Sequence, residues 1–242
     1  MSRILLEICV EDAEGLAAAV AAGADRIELC QALDQGGLTP SPGFMRHAAA
    51  AGVPVLALIR PRAGDFAYAD ADLDICLDDI EAARQAGLAG VVIGAARQDG
   101  VLDAAAMGRL CAAAKGLEVV LHRVIDTVPD RIAALETAVG LGISRILTSG
   151  GAATAAEGAG EIARLAAQAA GRIEIMPGAG ITAANVTRLL GISGLASVHA
   201  SCRTHAAGGD DPHRFGTNRR RTDPEAIRAL RRAIDEFAAT GA

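Results

Sequence analysis

Two short segments of the chain carry a glutamate and a cysteine two residues apart: Glu7 with Cys9, and Glu28 with Cys30. In a β-strand alternate side chains point to one face, so each glutamate shares a face with its cysteine. A dry apolar layer offers a carboxylate no partner, so this face should look away from such a layer. The carboxylates could serve acid-base chemistry, and a pair of thiolates is a good soft site for Cu(I).

The two glutamates should affect each other's ionisation. Neighbouring parallel strands lie about 4.8 Å apart, so adjacent strands would bring the carboxylates of Glu7 and Glu28 close together. One of them should then have a raised pKa unless a cation lies beside them. The cysteines have a second interpretation as small buried core residues, which is common for unpaired cysteines.

Later strand-like segments also end in polar residues. Arg60 ends one of them and Arg62 follows two residues on; their guanidinium groups could bind a carboxylate or phosphate, or could only neutralise the two glutamates. His122 and Arg123 end another segment, and Asp126 lies just beyond. We take His122 and Asp126, with the two glutamates, as candidate catalytic residues, and Arg60, Arg62 and Arg123 as candidate anion ligands.

Of the last three strand-like segments, two end in glycine-rich turns and the third ends in His199-Ala200-Ser201-Cys202. Backbone N–H groups that lead into helices suit an anion, although tight turns explain the same glycines. The candidate anion-binding residues here are Thr148, Ser149, Gly150, Gly178, Gly180, His199 and Ser201.

A regular repeat must position these groups. An alanine-rich helical stretch ends at a glycine, and a short β-branched apolar run follows. Eight such runs, spaced roughly 22 to 35 residues apart, predict an α/β fold, a (β/α)8 TIM barrel of parallel strands in one domain over residues 1–242. An open doubly wound sheet is the alternative. Helices are predicted at about 12–22, 43–51, 72–86, 103–114, 130–139, 155–170, 182–190 and 223–238.

The barrel prediction gives the polar strand ends a common location. Active sites of (β/α)8 barrels lie at the carboxyl ends of the strands, where all the candidate residues fall. The sequence therefore predicts one polar pocket at this end of the barrel.

The composition of the chain argues against nucleic acid and membranes as binding partners. The formal net charge is −6, with one Tyr and no Trp, which does not favour nucleic-acid binding. No apolar run approaches the ~20 residues of a membrane span, and no signal-peptide layout precedes the first strand, so we expect a cytoplasmic protein without a membrane partner. Five cysteines without a C-x-x-C pair indicate reduced thiols.

Six segments follow one another over roughly residues 4–203: "LLEICVEDAEGLAAAVAAGADRIELCQALDQGGLTPSPG", "IRPRAGDFAYAD", "LHRVIDT", "RILTSGG", "IMPGAGIT" and "VHASCR". This series resembles the CutC family, named for copper homeostasis. The resemblance implies a cytoplasmic (β/α)8 barrel that binds copper and is a homodimer or higher homo-oligomer. By matching motif, Cys9 and Cys30 correspond to the thiols proposed to hold Cu(I). The chain departs from the family pattern at Gln35, Ala63, Val124, Ile125 and Cys202.

Two functions stay open on the sequence alone. The first is Cu(I) binding by Cys9 and Cys30, with copper as cofactor or cargo. The second is an enzyme that acts on a small anionic metabolite, such as a phosphorylated one, with Glu7 or Glu28 as general base and His122 as its acid partner. The fold does not choose between them.

Overall fold

The computed structural model describes residues 3–192, 194–205 and 220–240. Its main sheet has eight parallel strands: β1 Leu5–Val10, β2 Arg26–Leu29, β3 Val55–Leu58, β4 Gly90–Ile93, β5 Glu118–Leu121, β6 Arg145–Thr148, β7 Glu174–Pro177 and β8 Ser197–Ala200. β1 pairs with both β2 and β8, so the first and last of these strands lie side by side. β7 and β8 pack against each other and nearly close the sheet into a barrel. This confirms the barrel and not the open sheet.

Helices follow the strands around the outside of the barrel. They are α1 Ala13–Ala21, α2 Pro42–Ala48, α3 Asp70–Gln85, α4 Ala104–Ala113, α5 Arg131–Gly140, α6 Ala159–Ala169, α7 Val186–Leu190 and α8 Pro224–Thr240. Aspartates cap several of them, because a short carboxylate accepts the free N–H groups of a first turn. Side chains of Asp12, Asp103, Asp130 and Asp223 do this for α1, α4, α5 and α8.

Two helices begin later than the sequence predicts. Before α6, the Glu157 side chain accepts from the N–H of Thr154, whose hydroxyl accepts from the N–H of Glu157, which holds a turn. Before α7, the Asn185 side chain accepts from the N–H of Thr182 and donates to the Gly180 carbonyl. Short polar side chains commonly bond to nearby backbone in this way, and so delay a helix.

The strands divide their side chains between two environments. Ile8 and Ile27 are fully buried in the apolar core, which includes residues of the surrounding helices. Glu7 and Glu28, one position away, are also buried but bond to other polar groups inside the barrel. The period of two in the strands therefore separates a dry outer layer from a polar interior.

An antiparallel hairpin that the sequence analysis did not anticipate follows β8. It consists of β9 Arg203–His205 and β10 Arg220–Thr222. Arg203 ties it to the barrel by ion pairs with Glu11, at 2.5 Å, and Asp34, at 3.2 Å. The hairpin thereby brings Arg203 and Arg220 to the carboxyl end of the strands, where both line a cavity.

Candidate functional site

A cavity of about 1100 Å³ opens at the carboxyl ends of the barrel strands. Such a volume suits a small organic molecule rather than a bare ion. Residues singled out in the sequence that line it are Cys9, Glu28, Cys30, Arg60, His122, Arg123, Gly180, His199 and Ser201. Those outside its lining are Glu7, Arg62, Asp126, Thr148, Ser149, Gly150 and Gly178.

Three buried side chains with different donor atoms meet in this cavity. The ligand atoms of Cys9, Glu28 and His199 all lie within 4.8 Å of one another. Their strands β1, β2 and β8 are neighbours, and Cys9 is the register partner of Glu28. His199 Nε2 lies 3.6 Å from Glu28 Oε2. A sulfur, a carboxylate oxygen and an imidazole nitrogen therefore face a common point.

Glu7 lies beneath this cluster. Its Oε1 is 2.8 Å from Nδ1 of His199, and its Oε2 accepts a hydrogen bond from Nε of Arg26. The Arg145 guanidinium is 3.8 Å away. Burial by itself raises the pKa of Glu7. The hydrogen bond with His199 and the nearby positive charges together have the larger effect and lower the pKa to about 2. Glu7 is thus an ionised carboxylate inside the barrel.

The pKa of Glu28 is shifted in the opposite direction. Burial raises the pKa of Glu28, the charge of Glu7 adds to this, and His199 opposes it without reversing it. The His199 pKa is raised well above its usual value: burial lowers it, but Cys9, Glu7 and Glu28 together raise it more. The two carboxylates therefore differ in pKa chiefly because His199 bonds to Glu7, and because Arg26 and Arg145 also lie on the side of Glu7.

Three of the five cysteines line the cavity: Cys9, Cys30 and Cys202. Burial and the Glu28 carboxylate raise the Cys30 pKa well above that of a free thiol. Cys30 also packs beside Cys9 in a small apolar cluster with residues of β3, β4 and β5. The pKa of Cys202 is raised to about 12, chiefly by burial. Cys30 and Cys202 are therefore neutral thiols at neutral pH.

One wall of the cavity combines Arg60, Phe66 and His122. The Arg60 guanidinium donates to the carbonyls of Gln35, Gly37 and Gly64 at 2.8–2.9 Å and lies over the Phe66 ring. The His122 ring packs against Phe66 with centroids 4.8 Å apart. Among the described residues, Nε of Arg60 and Nε2 of His122 are buried without a hydrogen-bond partner.

His122 is held as a neutral imidazole. Its Nδ1 accepts from the N–H of Val124 at 3.1 Å. Burial lowers the pKa of His122 to about 3, and the charge of Arg60 acts in the same direction. Gly94 makes room for the ring, because a Cβ at that position would lie 2.3 Å from His122 Cε1. An Nδ1 that accepts leaves the proton on Nε2, so this ring is a donor without an acceptor.

The glycine-rich end of β6, predicted to bind an anion, holds a carboxylate of the chain itself. Asp126 accepts from the N–H groups of Ser149 and Gly151 at 3.0–3.1 Å and from the Thr148 hydroxyl at 2.6 Å. Arg123 donates to the same carboxylate at 2.8 Å. Burial by itself raises the pKa of Asp126. These hydrogen bonds together have the larger effect and lower the pKa below its usual value, so the carboxylate is ionised. The candidate residues Asp126, Thr148 and Ser149 thus form an internal contact between loops, and the N–H of Gly150 donates to the Thr148 hydroxyl.

Other candidates take separate positions. Arg62 pairs with Asp65 and Asp72, both at 3.0 Å, and its guanidinium lies over the Tyr68 ring, away from the cavity. The N–H of Gly178 donates to the Thr148 carbonyl at 2.9 Å, within the β6–β7 ladder. Gly180 and Ser201 reach the cavity from the ends of β7 and β8.

Sequence reasoning missed the charged layer at the amino ends of the strands. Arg145 pairs with Glu118 and with Glu174, the latter at 2.9 Å, and the Ser197 hydroxyl bonds to Glu174 across the β7–β8 seam. The alternation of side chains along a strand could have revealed this layer, because Arg26 shares a face with Glu28 and Cys30. The same rule places Arg145 inside the barrel.

The donor atoms of the cavity fit a soft or borderline metal ion. Three sulfurs and the His199 imidazole are the ligand types that Cu(I) and Zn(II) prefer. Within the part of the chain that the structure describes, every helix is too short or too polar to span a bilayer.

Comparisons with known proteins place the chain in a family. The CutC family model matches residues 4–204. A Sinorhizobium medicae protein named "family protein CutC" is 54% identical over 243 residues, which is 99% of each chain. The human "Copper homeostasis protein cutC homolog" is 44% identical over 83% of this chain and 74% of its own length.

Solved structures agree with this result. A CutC structure from Streptococcus agalactiae superposes with a TM-score of 0.78 at 34% identity, over 82% of this chain and 98% of that one. A phosphoribosylanthranilate isomerase from Pyrococcus furiosus, with a TM-score of 0.58 and 12% identity, shares the fold alone over 97% of this chain and all of that one. The chain therefore belongs to the CutC family.

Proposed function

We propose that this protein binds copper as Cu(I) at the carboxyl end of the barrel, with Cys9 as the central ligand, and that it takes part in copper homeostasis. The supporting observation is the presence of Cys9, Cys30 and Cys202 in one cavity. Soft thiolate ligands select Cu(I). The name of the human relative supports the same role.

The arrangement suits an ion that needs few ligands. Two thiolates suffice for Cu(I), so Cys9 needs only Cys30 or Cys202 as its partner. Burial keeps Cys30 and Cys202 protonated, so copper must displace a proton from the second sulfur. The affinity for Cu(I) should therefore rise with pH.

A competition titration tests this proposal. Cu(I) is distributed between the reduced protein and a chromophoric chelator, for the wild type and for Cys9→Ser, Cys30→Ser and Cys202→Ser. We expect Cys9→Ser to abolish competition, and Cys111→Ser, whose sulfur lies on α4 away from the cavity, to leave it unchanged. A wild type that fails to compete, or a Cys9→Ser variant that competes equally well, would overturn it.

A second candidate function is an enzyme acting on a small anionic metabolite. The specific observation in its favour is the pair of unpartnered N–H donors, Arg60 Nε and His122 Nε2, beside a cavity much larger than an ion. Both could donate to an anionic group, and Glu28, with its raised pKa, could act as a general acid. Copper binding does not use these two N–H donors.

A binding screen against a pool of metabolites separates the two functions. If the protein is this enzyme, an anionic metabolite should bind to the wild type but not to His122→Asn. The asparagine removes the Nε2 donor and keeps an acceptor for the Val124 N–H. Cys30→Ser should bind the same metabolite unchanged. The absence of any bound metabolite, together with tight Cu(I) binding, would exclude the enzyme.

We also propose that residues 1–242 form one domain, that the protein acts in the cytoplasm, and that it assembles as a homodimer or a higher homo-oligomer. The free cysteines support a reducing compartment, and the family resemblance supports the assembly. Light scattering on the eluting peak of a size-exclusion column measures the mass, and a monomer at all concentrations would contradict the proposed assembly.

A further inference from the structure

We infer that Cys9, Glu28 and His199 form a centre for a divalent metal ion of the Zn(II) class, with an open coordination position toward the cavity. The inference goes beyond Cu(I) binding and stands without it. Among the described residues, these three are the set of Cys, His, Asp and Glu side chains whose ligand atoms come within 4.8 Å of one another.

The spacing of the donors is close to that of a metal site. Zn–S bonds of about 2.3 Å and Zn–N or Zn–O bonds of about 2.0–2.2 Å in a tetrahedron place neighbouring ligand atoms about 3.3–3.7 Å apart. His199 Nε2 and Glu28 Oε2 are already 3.6 Å apart. The third donor, the Cys9 sulfur, lies within 4.8 Å of both and would move closer to them when a metal binds.

Charge selects a divalent ion over Cu(I) for this set. As metal ligands, the sulfur of Cys9 and the carboxylate of Glu28 would both be deprotonated and would bring two negative charges to a buried place, where uncompensated charge is strongly unfavourable. An ion of charge +2 neutralises them, whereas Cu(I) would leave one negative charge. The mixture of sulfur, nitrogen and oxygen donors is also typical of Zn(II), while Cu(I) prefers sulfur.

A residue beneath the cluster orients the imidazole ligand. Glu7 accepts the hydrogen on Nδ1 of His199 at 2.8 Å, which leaves Nε2 on the side of Glu28 and Cys9. Metal-binding histidines are commonly held by a carboxylate in this way. Glu7 is therefore a positioning residue rather than a ligand, and Arg26 anchors its other oxygen.

The number of ligands points to a reactive rather than a structural centre. Structural zinc sites have four protein ligands, while catalytic sites have three and keep a position for water or substrate. Here Cys9, Glu28 and His199 all line the cavity. The open position would take a water molecule or an oxygen atom of a small anionic ligand.

Cobalt is the probe for this site, because Co(II) reports its ligands by absorption. The metal-free, reduced protein is titrated with Co(II) without copper. We expect one equivalent to bind with a near-ultraviolet thiolate charge-transfer band and strong visible bands of tetrahedral Co(II), and Zn(II) to remove both. Cys9→Ser should lose the charge-transfer band, and Glu28→Gln and His199→Gln should each weaken binding at least about tenfold.

Cys30→Ser and Cys202→Ser are the matched thiol controls, and both should keep the Co(II) spectrum. A wild type without a thiolate band, a band that persists in Cys9→Ser, or a band lost in Cys30→Ser would overturn the inference. If a variant fails to fold, the wild-type spectrum still tests the inference, because the thiolate band must be present there. Cu(I) binding that depends on Cys30 but not on Glu28, without Co(II) binding, would leave the copper proposal standing and refute this one.

Discussion

Glu7 bonds to Nδ1 of His199 at 2.8 Å across the ladder that joins β1, the first strand, to β8, the last strand of the barrel. A carboxylate only accepts, so Nδ1 carries the proton and Nε2 is directed toward Glu28. The contact therefore connects the pairing of the first and last strands with the orientation of the His199 ring.

Glu7→Gln should weaken metal binding without removing a ligand. The amide keeps the shape of the side chain but loses the charge that holds the imidazole, so we expect Co(II) affinity to fall about tenfold. The affinity is measured by competition with a chelator. Glu14→Gln, at an exposed position on α1, is the control, and equal affinities in the two variants would show that Glu7 does not position His199.

Arg145→Met should strongly destabilise the protein. The substitution leaves the carboxylates of Glu118 and Glu174 without their buried partner, and breaking such a pair costs about 3 kcal/mol or more. Arg172→Met breaks the surface pair with Glu136 and should cost far less, because water and salt screen exposed charges. Urea unfolding measures both, and similar losses would contradict the importance of the inner charged layer.

Asp126→Asn tests the internal carboxylate at the end of β6. One amide oxygen cannot replace two carboxylate oxygens that accept from Ser149, Gly151 and Thr148, so we expect a loss of about 2 kcal/mol in the free energy of unfolding. Asp65→Asn, on an exposed loop, should change it far less. If the two variants were equally stable, the loop contact would be unimportant.

The neutral state of His122 predicts a pH dependence of stability. The unfolded chain takes up the proton at a pKa of about 6.5, but the folded protein does so only near 3, because the ring is buried. Stability should therefore fall as the pH drops below about 6.5, by up to about 1.4 kcal/mol per pH unit. His122→Asn should remove this component, and parallel curves for the two proteins between pH 4 and 7 would contradict it.

The sequence predicts the barrel because its signals are local. Each glycine that ends a helix, and each apolar run after it, depends only on near neighbours, so the eight units can be read directly. The period of two places Glu28 and Cys30 on one face for the same reason. The barrel prediction is confirmed, and the eight helices occur in the predicted order.

Partners between loops are not encoded in this local way. The sequence does not show that Asp126 reaches the N–H groups after β6, or that Arg60 donates to two carbonyls of the loop between β2 and α2. These contacts depend on the distances between distant segments in the folded barrel. A polar strand end therefore predicts the location of a site better than it predicts the role of each residue.

The ligands of bound copper test the account most directly. The copper K-edge X-ray absorption of the Cu(I)-loaded wild type should show a first shell dominated by sulfur, as thiolates of one cavity would supply. Cys111→Ser should give the same spectrum, and Cys9→Ser should lose the sulfur shell. A shell of only nitrogen and oxygen in the wild type, or an unchanged sulfur shell in Cys9→Ser, would contradict Cu(I) binding centred on Cys9.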